Sequence, residues 1–171
     1  KYFIMLIFNK KKKNLDSIYY KIVEESKVSY YSLKSGPTNT DHLREFFQLN
    51  LILVLWYMKT KNMKKKYLEY LINIFIKDLE GMVIELGGSE TSFRKKIRKF
   101  VENFYGRLYV FSEIFDNFEN VGKTKLKEVI NKNLKSTLDS KLMIDYLSLN
   151  LLYLKKLDKK DFWTASLFVN K

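Results

Sequence analysis

The residues best suited to chemistry sit together near position 42. His42 is the only histidine in the chain, Asp41 precedes it and Glu45 follows three residues later. An imidazole beside carboxylates can move protons near neutral pH. A catalytic group of this kind needs more partners than the sequence offers. The chain has no cysteine, which removes thiolate catalysis, disulfides and Cys-ligated zinc. One histidine supports neither a zinc site nor a Ser-His-Asp arrangement. The Asp41-His42-Glu45 group is accounted for by its place at a helix start, where carboxylates meet the positive end of the helix dipole. No phosphate-binding loop occurs, and Gly81 and Gly87-Gly88 lie too far apart to cradle one. The adjacent carboxylates Glu24 and Glu25 read as an outer helix face. The expectation is a protein that is not an enzyme, with no catalytic residue, no metal and no cofactor.

Charge is the second resource. The formal net charge is +13 over 171 residues, and only Arg44, Arg94, Arg98 and Arg107 are arginines. Such an excess attracts nucleic acid, anionic lipid or an acidic protein face. The chain is also rich in Lys, Asn, Ile, Tyr and Phe, a mixture that AT-biased coding produces, so the total alone assigns no partner. A local cluster is more informative. Arg94, Lys95, Lys96, Arg98 and Lys99 lie between apolar positions of one helix and fan over its outer face, a candidate docking surface for anionic groups. No helix-turn-helix pattern, zinc finger or RRM aromatic signature accompanies them.

Arg107 differs because it falls next to the apolar stripe, where an unpaired guanidinium is costly. Asp78, between Phe75 and Met82, is the partner expected across an antiparallel helix pair, and Glu85 is the second choice. The glycines Gly87, Gly88 and Gly106 are read as marking helix turns.

These residues need elements to hold them. Leu15, Ile18, Tyr19, Ile22 and Val23 recur at helical spacing and predict a first helix from about 15 to 33, closed by Gly36-Pro37. After the cap-rich stretch Thr38–Asp41, the apolar run Phe46–Met58 predicts a second helix, buried on most sides. At 13 residues it falls short of the roughly 20 that span a bilayer. Leu68, Leu71, Ile72, Phe75, Leu79, Met82 and Val83 mark a third helix. Phe93, Ile97, Phe100, Phe104, Leu108, Phe111 and Phe115 step by three or four through a long fourth, started by Ser89 or Ser92. A turn at Gly122, a short fifth helix through Leu126, Val129 and Ile130, a capping box at Ser136–Asp139 and a sixth helix ending near Leu154 complete the pattern. The fold expected is an all-α single-domain bundle of about six helices. Its divisions are a basic N-terminal extension (1–14), a helical domain (15–157) and a C-terminal tail (158–171), either docked or loose. The order of the first residues, apolar then lysine-rich, reverses that of a secretory signal and fits a short surface anchor or a native start at Met5. The lack of cysteine fits a reducing compartment.

From about Leu15 to Leu154 the order of these signals resembles the ubiquinol–cytochrome c chaperone family, assembly factors of the cytochrome bc complex. GPTNTDHLREFFQLNLILVLWYM is similar to the family's Gly-x-Pro-Asp-Thr loop and the apolar helix after it, with Asn50 where the family commonly has His. FIKDLEGMVIELGGSETSFRKKIRKFVENFYGRL is similar to its Asp-x-Asp/Glu, Arg-Glu-x-Gly, basic-helix and aromatic-Gly-Arg series. Asp78, Glu80, Glu85, Gly87, Lys95, Lys96, Arg98, Lys99, Tyr105, Gly106 and Arg107 take those places, and Ile84 replaces the usual Arg. INKNL (130–134) matches an Arg-Asn segment more loosely. The resemblance implies a helical, non-enzymatic chaperone of the respiratory chain. It implies as partners cytochrome b or another bc-complex subunit, the ribosome, an anionic inner-membrane surface and a small partner protein. It places the chain in a bacterial cytoplasm, peripheral at the inner membrane, or on the matrix side in a eukaryote. The alternative reading is a basic helical adaptor for RNA or lipid with no cytochrome b role.

Overall fold

An apolar run as continuous as that of the second helix demands cover on all sides, and the fold is built around supplying it. The computed structural model describes residues 2–33, 39–85, 87, 89–133 and 139–170. Among the described residues six α-helices follow one another without a strand: α1 (Tyr2–Leu33), α2 (Thr40–Thr60), α3 (Lys65–Glu85), α4 (Glu90–Asp116), α5 (Phe118–Asn133) and α6 (Ser140–Lys156). A 3₁₀ turn, Asp161–Trp163, comes after α6. The expected all-α bundle of about six helices is what forms.

Every residue of α2 from Gln48 to Met58 is buried, with α1, α3, α4 and α6 packed around it. Its start is fixed by Asn39, whose side-chain oxygen accepts from the backbone N–H of Asp41 (2.9 Å) and His42 (3.3 Å). Its end is a Schellman motif. Asn62 takes the left-handed conformation (φ 51°), while Met63 N–H bonds the Met58 carbonyl at 2.9 Å and Asn62 N–H bonds that of Lys59 at 3.0 Å. The lysine-rich turn is therefore a cap as well as a break.

α1 begins at Tyr2 rather than near residue 15. Lysine is a good helix former and nothing from 2 to 33 is Gly or Pro, so the helix propagates backwards beyond its apolar stripe. Ser89 caps α4 by accepting from Ser92 N–H. Gly87, at φ 72°, carries the turn between α3 and α4. Gly88 lies outside the described residues, as do Gly36-Pro37 and the Ser136–Leu138 part of the expected capping box. Asp139 itself is the N-cap of α6, accepting from Lys141 N–H at 2.7 Å. Gly122 bends α5 (φ 27°, ψ −135°), a conformation that strains any L side chain.

Aromatic rings tie the layers. Phe75 and Phe104 meet at 4.7 Å between α3 and α4, Trp56 and Phe115 at 5.8 Å between α2 and α4, and Phe46 and Tyr146 at 4.9 Å between α2 and α6. Such pairs add about 0.5–1.5 kcal/mol each to their burial. Beyond α6, Phe162 stacks on Tyr57 at 5.1 Å, and Leu167 and Phe168 are buried. The segment after α6 is docked.

Candidate functional site

The basic cluster occupies the first half of α4. All five side chains are exposed. Arg94 pairs with Glu90 and Arg98 with Glu102 (2.8 Å), each one helical turn away along the same surface. Exposed pairs of this kind contribute little to stability. They also leave Lys95, Lys96 and Lys99 as the positive charge of the face that has no ion-pair partner among the described residues. α4 has a Gly-free first half and an apolar stripe that faces the core, which fixes the outward direction of all five.

The second half of the same helix walls a groove. Leu55 and Trp56 of α2, Leu68 and Ile72 of α3, and Tyr105 and Leu108 of α4 enclose about 520 Å³. Trp56 is held by its indole N–H, which donates to Asp116 Oδ1 at 2.8 Å. Tyr105 (47% exposed) and Tyr109 (65%) stand on the rim. Arg94, Arg98, Tyr105 and Tyr109 are separated by four, seven and four residues, so they lie along one stripe of α4. From Lys96 to Leu108 is about 18 Å along the axis.

Arg107 is an internal tie, with a partner other than the expected one. Its Nη2 meets Glu45 Oε1 at 2.8 Å and its Nη1 donates to Gln48 Oε1 at 2.9 Å. Both partners are on α2, one turn apart, so they match the two-pronged guanidinium. Both members of the ion pair are 18% exposed. Glu45 Oε2 is buried with no hydrogen-bond partner among the described residues. Asp78 faces α1 instead and accepts from the Tyr19 hydroxyl at 2.6 Å. Glu85 is exposed at the end of α3. The expectation erred because α2 is the central helix and touches α4 as α3 does.

Two further corrections follow. Gly106 lies inside α4 and is exposed, so it marks no turn, and a Cβ there would meet nothing within 4 Å. The fold has no need of a glycine at that point. We expect Gly106→Ala to raise stability by about 0.5–1 kcal/mol, read as a higher urea midpoint at unchanged slope. A lower midpoint would mean that the helix interior tolerates no side chain there. Glu25, read as an outer-face carboxylate, is half-buried and accepts from the backbone N–H of Leu167 (2.7 Å) and Phe168 (2.9 Å). His42 is buried at the start of α2. Sequence reasoning noticed Asn50 without assigning it a contact and missed Asn150; both are fully buried, on α2 and α6. Their signal was a polar amide inside an apolar stripe. No helix among the described residues is long and apolar enough to cross a membrane.

The crystal structure of the Cbp3 homolog from Brucella abortus is similar to this chain over 98% of this chain and 97% of that one, with a TM-score of 0.72 and 18% identity. At that identity the likeness is one of fold. No protein of curated function matches the sequence. The profile of the family described as ubiquinol-cytochrome C chaperone matches residues 40–168, from the first residue of α2 to the docked segment beyond α6. That span is most of the chain and holds the groove, the basic face and the Arg107 tie, and the chain therefore belongs to the ubiquinol–cytochrome C chaperone family.

Proposed function

We propose that this chain is an assembly chaperone of the cytochrome bc complex that receives newly made cytochrome b, without catalysing a reaction. The observation that carries this reading is the division of α4. Its first half offers cations to a polyanionic surface, the ribosome or the inner-membrane headgroups. Its second half, about 18 Å further on, walls an apolar groove with aromatic rings on the rim. A hydrophobic client leaving a ribosome or entering a bilayer needs both within one short reach. Tyrosine suits the rim because its ring is apolar and its hydroxyl tolerates water.

Affinity recovery from the protein's own cells during translation tests the proposal, with bound proteins identified. Cytochrome b should be enriched. Changing Arg94, Lys95, Lys96, Arg98 and Lys99 to Glu moves the net charge by two per residue, from +13 to +3. It should abolish docking to ribosomes and anionic vesicles while helix content stays unchanged. The change adds like-charge pairs with Glu90 and Glu102, each costing only about 0.2–0.5 kcal/mol. Tyr105→Glu with Tyr109→Glu should do the reverse, keeping docking and losing the client. Recovery of RNA or lipid that salt removes, without cytochrome b, would replace this reading with that of a basic adaptor.

A further inference from the structure

The segment beyond α6 is held in an unusual way. From Ala165 onward its main chain runs beside α1 and α6, and the bonds that fix it come from side chains of those helices. Lys21 Nζ donates to the carbonyls of Thr164 (3.1 Å) and Ala165. The Tyr153 hydroxyl donates to the Ser166 carbonyl at 2.7 Å. Glu25 Oε2 accepts from Leu167 and Phe168 N–H. The amide of Asn150 exchanges two bonds with Val169: Oδ1 accepts from its N–H at 2.8 Å, and Nδ2 donates to its carbonyl at 3.1 Å. An amide side chain here does what a neighbouring strand would do.

Asn150 is 0% exposed. Its Nδ2 keeps a second partner in the Tyr146 carbonyl at 3.0 Å, and it is Oδ1 that depends on the Val169 N–H; a buried amide oxygen without a donor is costly, so an extended main chain suits the groove. The polar contacts read main-chain atoms, which every peptide carries. Only Leu167 and Phe168, both buried, add side-chain identity. We propose that the groove between α1 and α6 is a binding site for an extended polypeptide segment with two adjacent apolar side chains. The chain's own residues 164–169 fill it here, and an incoming segment of another polypeptide takes it when they lift. That the natural occupant belongs to the chaperone's client rests on the function proposed above. The capacity of the groove does not.

Tethering gives residues 164–169 an effective concentration in the millimolar range or above, so a free peptide competes poorly with them in the native chain. The test therefore uses the full chain with Leu167→Asp and Phe168→Asp, which removes the apolar anchors of the segment and keeps every groove residue. The probe is a fluorescent peptide of residues 164–170, TASLFVN, read by anisotropy. It should bind this variant and scarcely bind the native chain. Adding Asn150→Leu should weaken it by about tenfold or more. A peptide with Ser-Ser in place of Leu-Phe should not bind. No binding by a variant of native helix content would overturn the proposal, and so would a variant that loses its helices, because a segment needed for folding cannot lift. Hydrogen exchange of the native chain gives an independent reading. The amides of Leu167, Phe168 and Val169 should exchange through local opening, well ahead of α2. Exchange at the pace of α2 would show that they part only on global unfolding and would also overturn it. Failure here leaves the recovery of cytochrome b untouched, and failure there leaves peptide binding untouched.

Discussion

Replacing Arg107 with alanine is expected to destabilise the chain by about 3 kcal/mol, the lower end of the cost of breaking a buried ion pair. The lower end applies because the pair retains some exposure, 18% on each side. Three losses combine. Glu45 Oε1 and Gln48 Oε1 lose their donors at 2.8 and 2.9 Å. Glu45 Oε2 is already buried without a partner, so the whole carboxylate would then sit in a poorly hydrated place with nothing to compensate it. The alkyl stem of Arg107 also stops packing between α4 and α2. For a chain of this size the melting midpoint should fall by roughly 6–12 °C. The pair replacement Arg107→Leu with Glu45→Leu should recover most of that loss, because removing both charges removes the desolvation cost that either one alone leaves behind. Circular dichroism melts of the singles and the double complete the cycle. A single variant within about 0.5 kcal/mol of the native chain would mean that Arg107 is free to serve an outside partner, and the internal-tie reading would fall.

The contrast between Arg107 and its mistaken partner shows where sequence reading stops. Periodicity located Phe104 and Phe111 in the core and put Arg107 beside them, which was enough to require a carboxylate. It could not say which helix would supply one. Three-residue and four-residue spacings define a stripe along one helix and hold no information on which neighbour that stripe meets. The same limit applies to Glu25. On its own helix it neighbours Glu24 and looks solvated, yet the segment that needs it lies about 142 residues away in the chain. Gln48 and Asn50 were visible as interruptions of the apolar run, and their meaning required α4 and α1 to be in place: Gln48 accepts from Arg107, and Asn50 Nδ2 donates to Ser26 Oγ at 2.9 Å. Helix identity, by contrast, is written locally in cap residues and glycines. Ser89, Asn39 and Gly87 set boundaries that any reader of the chain can place within a turn. The basic face was legible because exposure needs no partner.

Raising the pH from about 10 to 11 is expected to lower stability by roughly 3 kcal/mol through tyrosine ionisation alone. Burial pushes the Tyr19 hydroxyl far above its ordinary value of 10.0, helped by its bond to Asp78. Burial does the same to Tyr146, whose hydroxyl is buried with no hydrogen-bond partner among the described residues. Tyr57 is pushed up to about 12 by burial, then by the charges of Asp158 and Asp161. In the unfolded chain these hydroxyls lose their protons near pH 10. In the folded chain they keep them to about 12 or beyond. Between those limits the unfolded state binds fewer protons, so stability falls as pH rises; below 10 both states are protonated and the contribution is complete. Each fully buried tyrosine contributes about 1 kcal/mol of the loss over that unit. Tyr70, raised to about 12 by burial and Asp16, is wetter and adds less. Repulsion within a chain of net charge +13 also changes with pH. Comparison with Tyr19→Phe separates the two, because phenylalanine has nothing to ionise while the lysines are unchanged. Urea midpoints of the native chain should fall more steeply between pH 10 and 11 than those of Tyr19→Phe, by about 1 kcal/mol. The part of the tyrosinate absorbance that belongs to Tyr19, Tyr57 and Tyr146 should rise only as helix content is lost. A single rise near pH 10 with the helices intact would mean that water reaches Tyr19, Tyr57 and Tyr146, and the core around α2 would have to be looser than its burial implies.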